Sequence, residues 1–279
     1  MGRAARIRRF AVAAWLVLLL VLVAGCASVP APWPGPTPSQ ALPPRADSAF
    51  APAAEALRTV HGEAGSGFRL LRNNLDALRW RLVLIDSARH SLDLQYYVWF
   101  GDKVGQLLMA RVLAAADRGV RVRLLFDDLS TLLHDMEHVE LRDAMLRQLD
   151  RHPRIEIRVF NAWQQRDLLG RAVEMGADFE RLNRRMHNKQ MVADGHAAII
   201  GGRNIGDEYF GLHGDFNFHD LDVLALGPVV LQASTIFDRY WNSRWVRPLS
   251  RLAAAGADEA PSAAHERAMA QLASDPRAR

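Results

Sequence analysis

Between Phe68 and Trp241, stretches with apolar residues at three- and four-residue intervals alternate with short runs rich in β-branched and aromatic residues. That alternation confines the chain to a layered α/β domain, because each amphipathic helix needs a sheet face to cover. Leu71, Leu75, Leu78, Leu82 and Ile85 predict a helix over Phe68 to Arg89, and further helices are predicted at Val104 to Arg118, Glu137 to Leu149 and Val229 to Trp241. Strands are predicted at Ser91 to Trp99, Val120 to Phe126, Ile155 to Phe160, Met186 to Val192, Ala197 to Ile200 and Asp220 to Leu226, with Asp194 and Gly195 forming a turn. The expected architecture is α/β, a mostly parallel or mixed sheet flanked by helices.

What precedes this region is of a different kind. Arg3, Arg6, Arg8 and Arg9 form a basic start, and Phe10 to Val23 form an apolar run shorter than a membrane span of about 20 residues. This is the pattern of a secretory signal. It ends in Val23-Ala24-Gly25-Cys26, which resembles a bacterial lipobox, so that residues 1–25 are expected to be removed and Cys26 to carry the acyl chains of a membrane anchor. The resemblance also implies a place in the cell envelope on the periplasmic side, at the outer rather than the inner membrane, since Ala27 stands where retained lipoproteins carry Asp. Residues 26–55 hold eight prolines and are expected to be an extended tether, with the folded body at 56–250 and a loose tail at 251–279.

Composition removes several functions. The formal charge of +4 is owed to the four arginines of the leader; without them acidic and basic residues are equal in number, so charge gives no argument for nucleic acid. Cys26 is the single cysteine, which excludes a disulfide, a Cys-based zinc site and Cys/His catalysis in the body. His134 and His138 imitate a zinc-binding helix turn, but the residue after the first is Asp135 and no third ligand is evident, so no metal is expected there, and the sequence singles out no cofactor site.

One segment carries chemistry. His187 and Lys189, the latter one of two lysines in the chain, would share one face of a strand, where an imidazole and an ammonium form a site for an anion. Gly201-Gly202-Arg203-Asn204 leaves the next strand through two glycines, which lets backbone approach a ligand, and Asn204 offers an amide donor. Asp220 and Asp222 would share one strand face and supply a carboxylate to fix an imidazole tautomer. Asp127 and Asp128 would edge the cleft or cap the next segment, and Arg181, Arg184 and Arg185 would draw an anionic lipid or form a solvated face.

His187-x-Lys189-x4-Asp194, followed by Gly201-Gly202 and Asn204, resembles the signature of the phospholipase D superfamily. Leu92-Asp93-Leu94-Gln95-Tyr96-Tyr97, Asn204 to Phe210 and Asp220-Leu221-Asp222-Val223 are similar to its bacterial lipoprotein branch, near the cardiolipin synthases, and the likeness covers roughly residues 65 to 250. The resemblance implies a metal-free phosphodiesterase or phosphatidyltransferase acting on phospholipid through a phosphohistidine. His187 would be the nucleophile or its acid/base partner, Lys189 and Asn204 would hold the phosphoryl oxygens, Asp220 would orient an imidazole, and Asp194 would brace the site. Gly202, Arg203 and Asp222 would line the substrate. The family joins two such motifs and this sequence holds one, so it implies either a homodimer, as in the family's single-motif nucleases, or the first half of a longer protein, the reading we favour. The other readings are a homodimeric nuclease-like phosphodiesterase and an inactive lipid-binding lipoprotein.

Overall fold

The computed structural model describes residues 35–128, 139–164 and 168–252. The leader, Cys26, His134, His138 and nearly all of the C-terminal tail lie outside the described residues. Eight strands form one mixed sheet in the order β1-β7-β6-β5-β2-β3-β4-β8, where β1 is Gly67–Leu71, β2 Ser91–Tyr96, β3 Arg121–Asp127, β4 Ile155–Phe160, β5 Gln190–Ala193, β6 Ala197–Gly201, β7 Asp222–Leu226 and β8 Val246–Pro248. β2, β3 and β4 are parallel; the other pairings are antiparallel.

Helices cover both faces. After α1 (Ala51–His61), helices α2 (Asn74–Ser87), α3 (Lys103–Asp117) and α4 (Val139–Asp150) bury one sheet face around Leu84, Ile85, Leu108, Val112, Leu92, Leu94 and Val122. α5 (Leu168–Ala177), α6 (Phe179–Leu182) and α7 (Asp207–Phe210) lie in the connections, and α8 (Pro228–Trp241) covers the other face, with Val230 and Ala233 on Val192 and Ala198, and Phe237 and Trp241 beside Leu125 and Phe160.

The first helix begins later than its apolar spacing suggests. Asn73 caps α2 by accepting from the Leu75 and Asp76 amides, and residues 67–71 instead form the edge strand β1 against β7. Leu71 is therefore a strand residue and Leu75 is half exposed, so the repeat that predicted a helix from Phe68 mixed two elements.

The proline-rich segment, read as a free spacer up to residue 55, is bound to the body from Thr37 onward. Arg158 Nη2 donates to the Thr37 carbonyl, Trp241 Nε1 to Ser39 Oγ, and Ala41 N to Asp238, while Ser48 Oγ donates to Asp194. This strap runs along the α8 side of the sheet to the end where β2 and β3 begin. No helix among the described residues is long and apolar enough to cross a membrane.

Candidate active site

The antiparallel order β2-β5-β6-β7 brings the last residues of β2 and β6 and the first residues of β5 and β7 to one end of the sheet. Strand ends are where side chains of several strands face a common crevice. His187 and Lys189 lie just before β5, Tyr97 just after β2, Asn204 after β6 and Asp220 before β7.

The His187 strand is shorter than the sequence suggests. Met186 N donates to Asp127 Oδ2 (3.0 Å) and Arg185 pairs with Asp127 Oδ1 (3.0 Å), so the carboxylate at the end of β3 pulls residues 185–189 off the ladder. His187 emerges exposed while Lys189 is 5% exposed, and the pair no longer shares a strand face. They are held together otherwise: Lys189 Nζ donates to the His187 carbonyl (2.7 Å), and the Tyr97 ring packs on the His187 ring at 4.9 Å with Lys189 Nζ 5.1 Å from its centre. An ammonium has three protons, so two remain for a ligand.

Asn204 joins the same crevice. Its Oδ1 accepts from the Val98 amide (3.1 Å), next to Tyr97, and its Nδ2 donates to Tyr209 Oη (2.9 Å), which leaves one N–H uncommitted. Asp220 sits outside the β7 ladder, its carboxylate accepting from Leu221 N (2.8 Å). Gly202 is what admits it: a Cβ there would meet Asp220 Oδ1 at 1.9 Å. Gly202→Ala is therefore expected to displace the Asp220 carboxylate, lowering any turnover at this site about tenfold or more while leaving the thermal midpoint within a few degrees; parallel assay and melting curves check it.

Charge and burial set the protonation states. Partial loss of solvent, then the neighbouring Lys189, lower the His187 pKa, with Asp220 opposing. Burial lowers the Lys189 pKa to about 8, again against Asp220. Near pH 7 the site therefore presents a neutral imidazole beside an ammonium, the pair a nucleophile and an anion clamp require.

Three residues expected at the site lie elsewhere. Asp194 is at the far end of β5, roughly 16 Å of strand from Lys189; its carboxylate accepts from Ser48 Oγ and from the Arg89, His90 and Ser91 amides, so it fastens the strap and the start of β2. Arg203 and Asp222 are fully buried and correct the expectation that they line the substrate. Asp222 binds Arg81 Nη1 (2.9 Å) and Arg203 Nη1 (3.2 Å), and Arg203 also donates to the Leu71 and Arg72 carbonyls and to Asn74, tying β1, α2 and β7 together beneath the crevice. Their polar atoms are spent on the scaffold. Arg181 and Arg184 are paired with Glu174, Asp178 and Glu180, so neither is an uncompensated charge. Tyr97 and Tyr209 were not singled out from the sequence; the aromatic pair after a β-rich run was the available signal.

A family model described as "Cardiolipin synthase, PLD-like domain" matches residues 82–241, more than half of the chain. The chain belongs to the phospholipase D superfamily. Cardiolipin synthase C of Escherichia coli (strain K12) is 49% identical over 182 residues, which are 65% of this chain and 36% of that protein. The major cardiolipin synthase ClsA of Bacillus subtilis (strain 168) is 31% identical over 175 residues, 62% of this chain and 32% of that protein. Among solved structures, phosphatidylserine synthase of Haemophilus influenzae aligns with a TM-score of 0.49 at 14% identity, covering 75% of this chain and 44% of that one. The chain spans about a third of the length of these curated relatives. Within the superfamily signature, His187 and Lys189 are the members that reach the crevice, and Asp194 is the member that does not.

Proposed function

We propose that this chain contributes one half of a phospholipase D-type active site that cleaves or transfers the phosphodiester of a phospholipid, completed by a second half-site of the same kind. The observation that carries the reading is the convergence of His187, Lys189, Asn204 and Asp220 on the crevice around Tyr97. His187, kept neutral by its surroundings, attacks phosphorus; the bond to the leaving alcohol breaks, that oxygen takes a proton from the opposing half-site, and a phosphohistidine remains until water or a second alcohol displaces it. Lys189 and the uncommitted Asn204 N–H neutralise the phosphoryl oxygens.

A lipid substrate is favoured by what borders the crevice. The segment 211–221, which carries Asp220 next to its end, exposes Leu212, Phe216, Phe218 and Leu221, an apolar shoulder beside a phosphate-sized site. Anchoring through Cys26 on the periplasmic side would hold that site near its substrate. The test is release or transfer of headgroup from phosphatidylglycerol vesicles against cleavage of DNA in chelator. Lipid turnover without DNA cleavage supports the reading, and DNA cleavage with no lipid turnover replaces it with the nuclease.

The protonation states predict the pH profile. The ammonium of Lys189 is present below its pKa of about 8 and lost as pH rises through it, so activity falls on the alkaline side near pH 8. The His187 base form persists to lower pH than an ordinary histidine, so the acid limb lies below about 6.5. In Lys189→Arg, whatever activity remains should lose the alkaline limb; initial rates across pH check both.

A further inference from the structure

At the end of the sheet opposite the crevice, a cavity of about 590 Å³ opens where β2, β3 and β4 begin, walled on one side by Ser39, Leu42 and Arg45 of the strap. Arg89, His90, Arg121 and Arg154 line it. Backbone bonds set them in a row: Arg121 N donates to the His90 carbonyl (3.0 Å) and Val122 N to the Arg154 carbonyl (2.8 Å), so these residues occupy adjacent strand starts about 5 Å apart. Arg123, two residues along β3 from Arg121 on the same sheet face, also lines the cavity.

The neighbouring carboxylates are already engaged. Asp93 and Asp238 both hold Arg123, Glu156 holds Arg158, and Asp47 is shared by Arg45 and His90. Arg89, Arg121 and Arg154 form no ion pair among the described residues. Two of them are nevertheless fixed, by bonds that neutralise nothing: Arg89 Nη1 donates to the Asp47 carbonyl (2.7 Å) and Arg121 Nη2 to the Gln40 carbonyl (2.8 Å), and Arg121 Nε is buried without an acceptor. Positioned guanidinium groups without counter-ions around a cavity are the arrangement that binds phosphate by paired N–H donors, and three of them suit a doubly charged group better than a single carboxylate.

We propose that this cavity is a second binding site, separate from the His187 crevice, for a ligand bearing a phosphate monoester, whether a soluble phosphate or the headgroup of an acidic phospholipid. The strap gives the site a functional consequence. Because Gln40 and Asp47 bond directly to Arg121 and Arg89, a bound anion stabilises the strap on the body, and an empty cavity leaves that end of the strap opposed by uncompensated charge.

The experiment uses the full chain and two probes: inorganic phosphate by titration calorimetry, and phosphatidylcholine vesicles with and without phosphatidic acid by co-sedimentation. Arg121→Gln and Arg154→Gln should each weaken binding about tenfold or more, while Lys189→Ala leaves it unchanged. The Arg154 side chain makes no hydrogen bond or ion pair among the described residues, so Arg154→Gln serves where Arg121→Gln fails to fold. Phosphate binding with this mutational pattern supports a soluble ligand; binding only to vesicles containing phosphatidic acid, with the same pattern, supports a lipid headgroup. Absence of binding to both probes, binding that both arginine variants leave intact, or binding lost only in Lys189→Ala overturns the proposal.

Discussion

Replacing His187 with Asn is expected to lower phosphodiester turnover by a factor on the order of 10³ or more, with KM little changed and the fold intact. The loss is large because the substitution removes the nucleophile itself, and Tyr97, the ring that packs on His187, cannot replace its nitrogen. The fold should survive because the exposed imidazole supports little: the segment is held by Met186 and Arg185 on Asp127 and by the Lys189 ammonium on the His187 carbonyl, which is backbone. Lys189→Met should cost less, roughly 10² to 10³, the size of one lost oxyanion donor. Single-turnover rates and melting curves on the same preparations separate chemistry from stability.

Asp222→Ala carries the largest expected effect on stability. The Asp222 carboxylate is fully buried and is the acidic partner of two guanidinium groups, Arg81 and Arg203, that are themselves fully buried. Removing it strands two charges with no water to take its place, a loss of about 3–5 kcal/mol, which for a domain of this size lowers the melting temperature by roughly 10 °C. Among the described residues Arg81 otherwise donates to the Ala77 carbonyl and Tyr96 Oη and lies over the Phe210 ring, none of which carries a full compensating charge. Because this network ties β1, α2 and β7 together directly beneath Asp220, partial loosening should also lower activity before the protein unfolds. Thermal denaturation followed by circular dichroism checks the first effect, and assay at low temperature the second.

The layered α/β architecture was legible because the helices α3 and α8 and the strands β2, β3, β4 and β6 have apolar patterns that match their burial. What was not legible depends on contacts distant in sequence. β1 exists because β7 is available to pair with it, and nothing local distinguishes Phe68 to Leu71 from the start of the following helix. The strap was read as a spacer from its prolines; Arg123, Arg158 and Asn242, more than eighty residues away, are what hold it down. At the crevice, the spacing of His187 and Lys189 was readable, but the expectation that a strand aligns them was not met, because Asp127 draws the segment off the sheet. Arg203 and Asp222 were expected at the substrate; Asp222 instead begins the β7 ladder and pairs with Arg203 in the buried interior, where charge serves the scaffold.

Attack by His187 is tested by mass spectrometry of the peptide containing His187 after the full chain has been mixed with phosphatidylglycerol, quenched in alkali to preserve phosphohistidine and digested, with each oligomeric fraction analysed separately. A phosphatidyl adduct on His187 is expected in the fractions that turn over lipid, and none in His187→Asn. Turnover without modification of His187, or no adduct in any fraction, would contradict it.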